Sequence, residues 1–105
     1  MVLLALDIST SVIGWSVFSD PGLIDYGFIK INKNLSIFEK ASFAFEEVRK
    51  IIKKHDIDCF AVEEALKKFS SGKSTAGTIT TLACFNFCLC YNIWEEFGFK
   101  PEYID

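Results

Sequence analysis

The 105-residue sequence has no excess of positive charge, no typical signal peptide and no obvious membrane span. Eleven basic against 14 acidic residues give a net charge of −3, which excludes a protein that coats DNA by charge alone and leaves room only for a local basic patch. No positive leader precedes the N-terminal apolar run, and Asp7 interrupts it. The most apolar stretch, residues 79–94, is shorter than the roughly 20 residues that a bilayer requires. We therefore expect a soluble intracellular protein.

Ligands for a structural zinc ion are also scarce. The four cysteines form no C-x-x-C pair, and His55 is the only histidine. Cys84 and Cys88 are one helical turn apart, but two sulfurs without further ligands make a poor zinc site. We expect all four cysteines to be ordinary buried thiols.

The sequence is rich in apolar residues, at 50%, and 11 of them are Phe, which indicates a folded core in one domain, residues 1–105. Apolar periodicity and turn signals predict strands over 2–8, 13–19 and 24–31, a helix over 37–54, a strand over 59–63, a helix over 76–97 and a strand beginning near 102. Ser36 and Glu39 form a capping-box pattern before the first helix, and Gly98 ends the second. This order predicts an α/β fold in which helices flank a mixed sheet, an antiparallel three-strand meander plus parallel strands, with the first strand central.

Asp7 is unexpected because it lies within a strand that reads as buried on both faces. An ionised carboxylate out of water needs a cation or strong donors, so we expect a charged ligand or a metal; a side-chain cap of the following turn is the alternative. Glu63 ends the fourth strand. If that strand lies parallel beside the first, the two carboxylates meet at one sheet edge, where oxygen ligands favour Mg²⁺ or Mn²⁺.

The segment from Leu4 to Val17, with its Asp-Ile-Ser-Thr-Ser-x-x-Gly-Trp centre, resembles the first motif of the ribonuclease H-like superfamily, and more narrowly the RuvC family of Holliday-junction resolvases, especially its phage and viral members. The run from Phe60 to Glu63 is similar to that family's second motif, which ends in a metal-binding Glu. The resemblance continues to Ile104 and covers essentially the whole chain.

The resemblance implies a divalent-metal-dependent endonuclease that cuts four-way or other branched DNA by two-metal phosphodiester hydrolysis. Asp7 and Glu63 would be its catalytic and metal-binding residues, with two Mg²⁺ (or Mn²⁺) ions in the complete protein, and Glu64 ranks below Glu63. The loop after the fourth strand would contact DNA by aromatic stacking and phosphate binding through Lys67, Lys68, Phe69, Lys73 and Ser74. A solvated surface loop is the alternative interpretation. The resemblance also implies a cytoplasmic location, which is the host cytoplasm if the protein is viral.

The family's third acidic motif, on a C-terminal helix, is absent, and we do not assign its role to Asp105. We therefore expect a C-terminally incomplete fragment that cleaves DNA poorly by itself and whose sheet has an uncovered apolar face. The helix over 76–97 is apolar all round, so one side should pack on the sheet and the other on a second copy. We expect a homodimer.

Other functions remain open. The pattern Gly72-Lys73-Ser74-Thr75 is similar to the end of a P-loop, but Lys67 stands where that motif requires glycine, so we reject it. An actin- or sugar-kinase-like phosphate-binding domain shares the sheet topology but needs a second domain. A catalytically inactive junction-binding or dimerisation domain is the third possibility.

Overall fold

The computed structural model describes residues 1–63 and 76–104, where it has five strands and two helices. The strands are β1 (Leu3–Ile8), β2 (Val12–Ser19), β3 (Gly22–Lys30), β4 (Cys59–Glu63) and β5 (Pro101–Ile104). The helices are α1 (Ile37–His55) and α2 (Ala76–Phe97). Each predicted element is present, and the bounds of β4 and α2 are the predicted ones.

The five strands form one mixed sheet in the order β3-β2-β1-β4-β5. The first three strands make an antiparallel meander, and β4 and β5 add to it in parallel. Strand β1 is central, as predicted, and its parallel neighbour is β4. Helix α1 connects the edge strand β3 to β4, and α2 connects the parallel neighbours β4 and β5, which need a crossover rather than a tight turn.

Both helices pack on the same face of the sheet. The core contains Leu4, Leu6 and Ile8 from β1 and Phe60 and Val62 from β4. It is completed by helical side chains, among them Ala44, Val48 and Ile52 of α1 and Phe85, Leu89 and Ile93 of α2. Each large side chain buried there stabilises the fold by roughly 1.5–3 kcal/mol.

The prediction that β1 is buried on both faces is wrong. Leu4, Leu6 and Ile8 are buried, whereas the alternate residues Leu3 and Ala5 are half-buried and Asp7 is exposed. The reason is the placement of α1 and α2 on the Leu4 side, which leaves the other side uncovered by the described residues. We call that other side the open face.

The capping signals of both helices are confirmed. Ser36 accepts a hydrogen bond from the Glu39 backbone N–H through its hydroxyl, and the Glu39 carboxylate accepts one from the Ser36 backbone N–H. These bonds hold the pKa of Glu39 below its usual value. Helix α2 ends where the Gly98 N–H donates to the Trp94 carbonyl at 2.8 Å, with Gly98 in the left-handed region at φ +80°.

Helix α2 is only half covered. Its buried side includes Phe85, Leu89 and Ile93, while Phe87, Tyr91 and Trp94 are exposed on the other side. By length and composition alone, α2 is apolar enough to cross a membrane, but the core helix of a soluble protein passes the same test, so this is weak evidence.

The expectation that all four cysteines are buried is wrong, and two of the exceptions are on α2. Cys84 and Cys88 lie on its exposed side and Cys59 is half-buried, so only Cys90 is buried. Burial raises the pKa of the Cys90 thiol to about 11. All four thiols are free of disulfides.

Candidate metal and nucleic-acid site

Strands β1 and β4 are aligned from their first residues. The Val2 backbone N–H donates to the Asp58 carboxylate at 2.8 Å, and the Asp58 N–H donates to the Val2 carbonyl at 2.9 Å. Pairing then runs in register from Leu3 opposite Cys59 to Leu6 opposite Val62. The next position along each strand is a carboxylate, Asp7 in β1 and Glu63 in β4.

Asp7 and Glu63 therefore share one face of the sheet at adjacent strand positions. Side chains alternate along a strand, and Leu6 and Val62 both face the core. Asp7 and Glu63, one residue further, project from the open face and are exposed. Neighbouring strands lie about 5 Å apart, so two flexible carboxylates here can reach a common ion.

A groove of about 540 Å³ lies over these two residues on the open face. Its side-chain lining comes mainly from Asp7, Ser16, Tyr26, Phe28, Glu63 and Ile104. Gly14 adjoins Asp7 across the β1–β2 pairing and also lines the groove. The absence of a side chain at Gly14 leaves room between the carboxylate and the aromatic residues of β3.

The donor set fits a hard divalent cation, because carboxylate oxygens suit Mg²⁺ or Mn²⁺ better than zinc. Residues 1–63 and 76–104 contain no group of three or more His, Cys, Asp or Glu side chains that could hold a metal ion. The described residues thus provide two carboxylates of a site that would need further ligands, such as water or substrate oxygens, to hold an ion well.

The turn after β1 is held by Ser9. Its hydroxyl donates to the Val12 carbonyl at 2.6 Å and accepts from the Val12 N–H at 3.1 Å. A serine hydroxyl therefore caps this turn.

The predicted DNA-binding loop lies outside the described residues. This applies to Lys67, Lys68, Phe69, Lys73 and Ser74, to the lower-ranked Glu64 and to the rejected P-loop pattern. Asp105 also lies outside them.

The contribution of β3 to the groove was not predicted from the sequence. Tyr26 and Phe28 contributed only to the prediction of a strand, yet both line the groove beside Asp7. The signal that would have found them is the hairpin register, which places Phe28 opposite Gly14 and Gly14 opposite Asp7. That register depends on where the β2–β3 turn closes and on the shift between Val17 and Phe18.

No family model matches the chain. Over 68 residues the chain is 26% identical to the crossover junction endodeoxyribonuclease RuvC of Fusobacterium nucleatum subsp. nucleatum, a match that covers 61% of this chain and 36% of that protein. This relative is a RuvC protein, and RuvC is the family that the motifs around Asp7 and Glu63 resemble.

Among solved structures, RuvC of T. thermophilus in complex with a Holliday junction substrate has a TM-score of 0.77 at 13% identity, and covers 99% of this chain. The Thermus thermophilus RuvC structure has a TM-score of 0.74 at 17% identity. A ROK hexokinase from Thermus thermophilus is less similar, with a TM-score of 0.57 at 14% identity. The match covers 33% of that enzyme.

The chain spans just under two thirds of the two RuvC structures, 64% and 63% of their lengths. The identities are low, so these likenesses establish the fold, which is the mixed sheet with two helices predicted from the sequence. The chain is RuvC-like: it has a ribonuclease H-like fold, and both its sequence and its structure are similar to those of RuvC.

Proposed function

We infer that residues 1–105 are a single nuclease domain of a divalent-metal-dependent endonuclease that resolves four-way or other branched DNA. The observation that carries this proposal is the adjacency of Asp7 and Glu63 on the open face, one residue beyond the pairing of Leu6 with Val62. The sequence match to a crossover junction endodeoxyribonuclease and the RuvC fold support the same reaction class.

Asp7 and Glu63 act in this proposal as metal ligands. Two carboxylates close together repel each other unless a cation or a proton lies between them, so their placement favours a bound divalent ion. Two such ions, when bound, would activate a water molecule and stabilise the leaving oxygen of the cut phosphodiester. The described residues supply two carboxylates to this site, and the chain spans just under two thirds of the solved RuvC chains.

DNA contacts would come from the loop after β4. Lys67, Lys68, Lys73 and Ser74 are proposed to bind phosphates, and Phe69 to stack on an unpaired base at the crossover. The overall charge of −3 makes such local contacts necessary, since the chain as a whole does not attract DNA.

We also propose a homodimer formed through the exposed side of α2. Phe87 is 69% exposed and stacks on Tyr91 at a ring-centroid distance of 6.2 Å, and Tyr91 contacts Trp94 at 5.8 Å. A row of three aromatic rings in water is unfavourable, and a second copy of the helix would cover it. A two-fold dimer also suits a junction with two equivalent strands to cut.

The dimer is tested by light scattering at micromolar concentration and by a bis-maleimide, since Cys84 and Cys88 lie on the same side of α2. A dimer mass and a cross-link that disappears in a Cys84→Ser/Cys88→Ser variant are expected. A monomer that does not cross-link would contradict this contact.

We further propose a cytoplasmic protein, with α2 as a core and interface helix. Membership of the phage or viral branch stays a prediction.

A catalytically inactive junction-binding domain is the second candidate. The observation that favours it is that the described residues bring together only two carboxylates in the groove. Junction binding without cutting, even with Mn²⁺, would point to it. A phosphate-binding domain related to sugar kinases is less favoured, since the likeness to the hexokinase is lower, and ATP binding would test it.

The deciding experiment incubates a labelled four-way DNA junction with the full-length protein and Mg²⁺. We expect symmetrical nicks from the wild type, and no cutting but unchanged junction binding from Asp7→Asn and Glu63→Gln. Glu102→Gln is the matched control, because Glu102 is an exposed carboxylate on β5, paired with Ala61. Cutting by Asp7→Asn at the wild-type rate would overturn the site.

A further inference from the structure

Strand β3 carries a row of exposed side chains on the open face: Tyr26, Phe28 and Lys30. Tyr26 is 69% exposed and Phe28 is 74% exposed, whereas the alternate residue Ile29 is buried. Two adjacent aromatic rings left in water are uncommon on a folded domain unless something binds them. The row ends in a lysine, so it combines apolar ring faces with a positive charge.

This row lies directly beside the two carboxylates. A Cβ placed on Gly14 would be 3.6 Å from the Phe28 ring and 3.8 Å from the Asp7 Cβ. The ring and the acid are therefore separated by a backbone without a side chain. Asp7, Glu63, Tyr26 and Phe28 all line the same groove.

We propose that the β3 row is a stacking platform for the DNA strand being cut, in which Phe28 receives the base next to the cut phosphate, Tyr26 the following base or sugar, and Lys30 a phosphate. The proposal rests on the proposed nuclease function and adds substrate-contacting residues to that site. Each base has an apolar face that stacks on an aromatic ring, and this contact tolerates any sequence.

An unpaired nucleotide strand suits this groove better than a protein segment does. A protein segment packed over Phe28 would remove water from Asp7 and Glu63 and leave two carboxylates in an apolar contact, which is costly. A nucleotide strand can cover the rings while its phosphates approach Lys30 and any ion that Asp7 and Glu63 would hold. The aromatic rings, the lysine and the proposed metal ligands thus match the base and the phosphate of a nucleotide.

The test uses the full-length protein in an Asp7→Asn background, so that the junction stays intact, with 2-aminopurine replacing the base beside the cut position mapped with the wild type. Stacking on Phe28 should quench the 2-aminopurine fluorescence on binding. Phe28→Ala should abolish the quench and weaken binding by about 5- to 150-fold, the equivalent of one lost base stack. Phe28→Trp should restore both.

Phe38→Ala is the matched control, because Phe38 is an equally apolar ring, 81% exposed, at the start of α1. It should leave the quench and the affinity unchanged.

If the wild type cuts the junction but Phe28→Ala retains the quench, the stacking platform is overturned and the proposed nuclease function is not. If Phe28→Ala instead lowers the melting temperature of the DNA-free protein and retains the quench, a protein segment covers the ring, and the platform is again overturned. A protein that neither cuts nor binds junctions overturns the proposed function itself.

Discussion

The indole of Trp15 lies against the α-carbon of Gly27, its partner across the β2–β3 pairing. A Cβ on Gly27 would be 2.8 Å from Cζ2 and 2.9 Å from Cε2 of that ring, closer than real contacts allow. Trp15 packs against the core, on the side of the sheet that carries the helices. Gly27 is thus needed because a large ring occupies the space that a side chain would take.

Replacing Gly27 by Ala should lower the free energy of unfolding by about 1–3 kcal/mol, the usual cost of overpacking. Urea unfolding followed by far-UV circular dichroism measures this. Gly22→Ala on the same strand is the control, because a Cβ there meets nothing within 4 Å. Equal stability of the Gly27 and Gly22 variants would mean that the indole moves aside freely.

The side chains of Asp25 on β3 and His55 at the end of α1 are joined by a 2.8 Å hydrogen bond between Oδ2 and Nε2. This bond is the main reason that the pKa of Asp25 is lowered from its ordinary value of 3.8, with smaller contributions from the Tyr26 N–H and Lys54. A lowered pKa in the folded state means that the Asp25 carboxylate stabilises the fold fully above its unfolded pKa. This contribution is lost as the pH falls through the folded pKa.

We therefore expect Asp25→Asn to flatten the loss of stability in acid, below about pH 5, relative to the wild type. His55→Ala should flatten it as well, because it removes the main cause of the shift. The double variant should resemble the single variants, since both remove one interaction. Urea midpoints measured from neutral pH into acid test this, and wild-type acid sensitivity in Asp25→Asn would contradict it.

The capping box offers a prediction about α1 alone. Ser36→Ala removes the hydroxyl that accepts from the Glu39 N–H at 3.2 Å, and should cost about 1 kcal/mol of stability. Ser42→Ala is the matched control, because Ser42 is an exposed residue inside the same helix, where alanine is the better helix former. Thermal unfolding compares the two, and an unchanged Ser36 variant would show that this cap adds nothing to stability.

The sequence predicted the elements, the sheet and the proximity of Asp7 to Glu63, because each depends on local signals: periodicity, caps and the direction of a crossover. It also predicted an uncovered sheet face, yet β1 was expected to be buried on both faces, since periodicity shows that a residue is apolar but not what covers it. For that reason Asp7 was expected to be buried. Tyr26 and Phe28 were missed for a related reason, because their place beside Asp7 depends on the register of two strand pairings.

Metal binding by Asp7 and Glu63 can be tested without DNA. An ion that binds only the folded protein raises its stability by about 2.7 kcal/mol at a concentration 100-fold above the dissociation constant, so Mn²⁺ should raise the melting temperature of the wild type. Asp7→Asn and Glu63→Gln should lose this shift. In the metal-free state Glu63→Gln should be at least as stable as the wild type, because like charges on neighbouring strands are destabilising. Glu102→Gln keeps both groove carboxylates and should keep the shift. Differential scanning fluorimetry with a chelator as the blank measures all four proteins. An equal Mn²⁺ shift in the wild type and in Asp7→Asn would place the ion elsewhere and remove the physical basis for pairing these two acids.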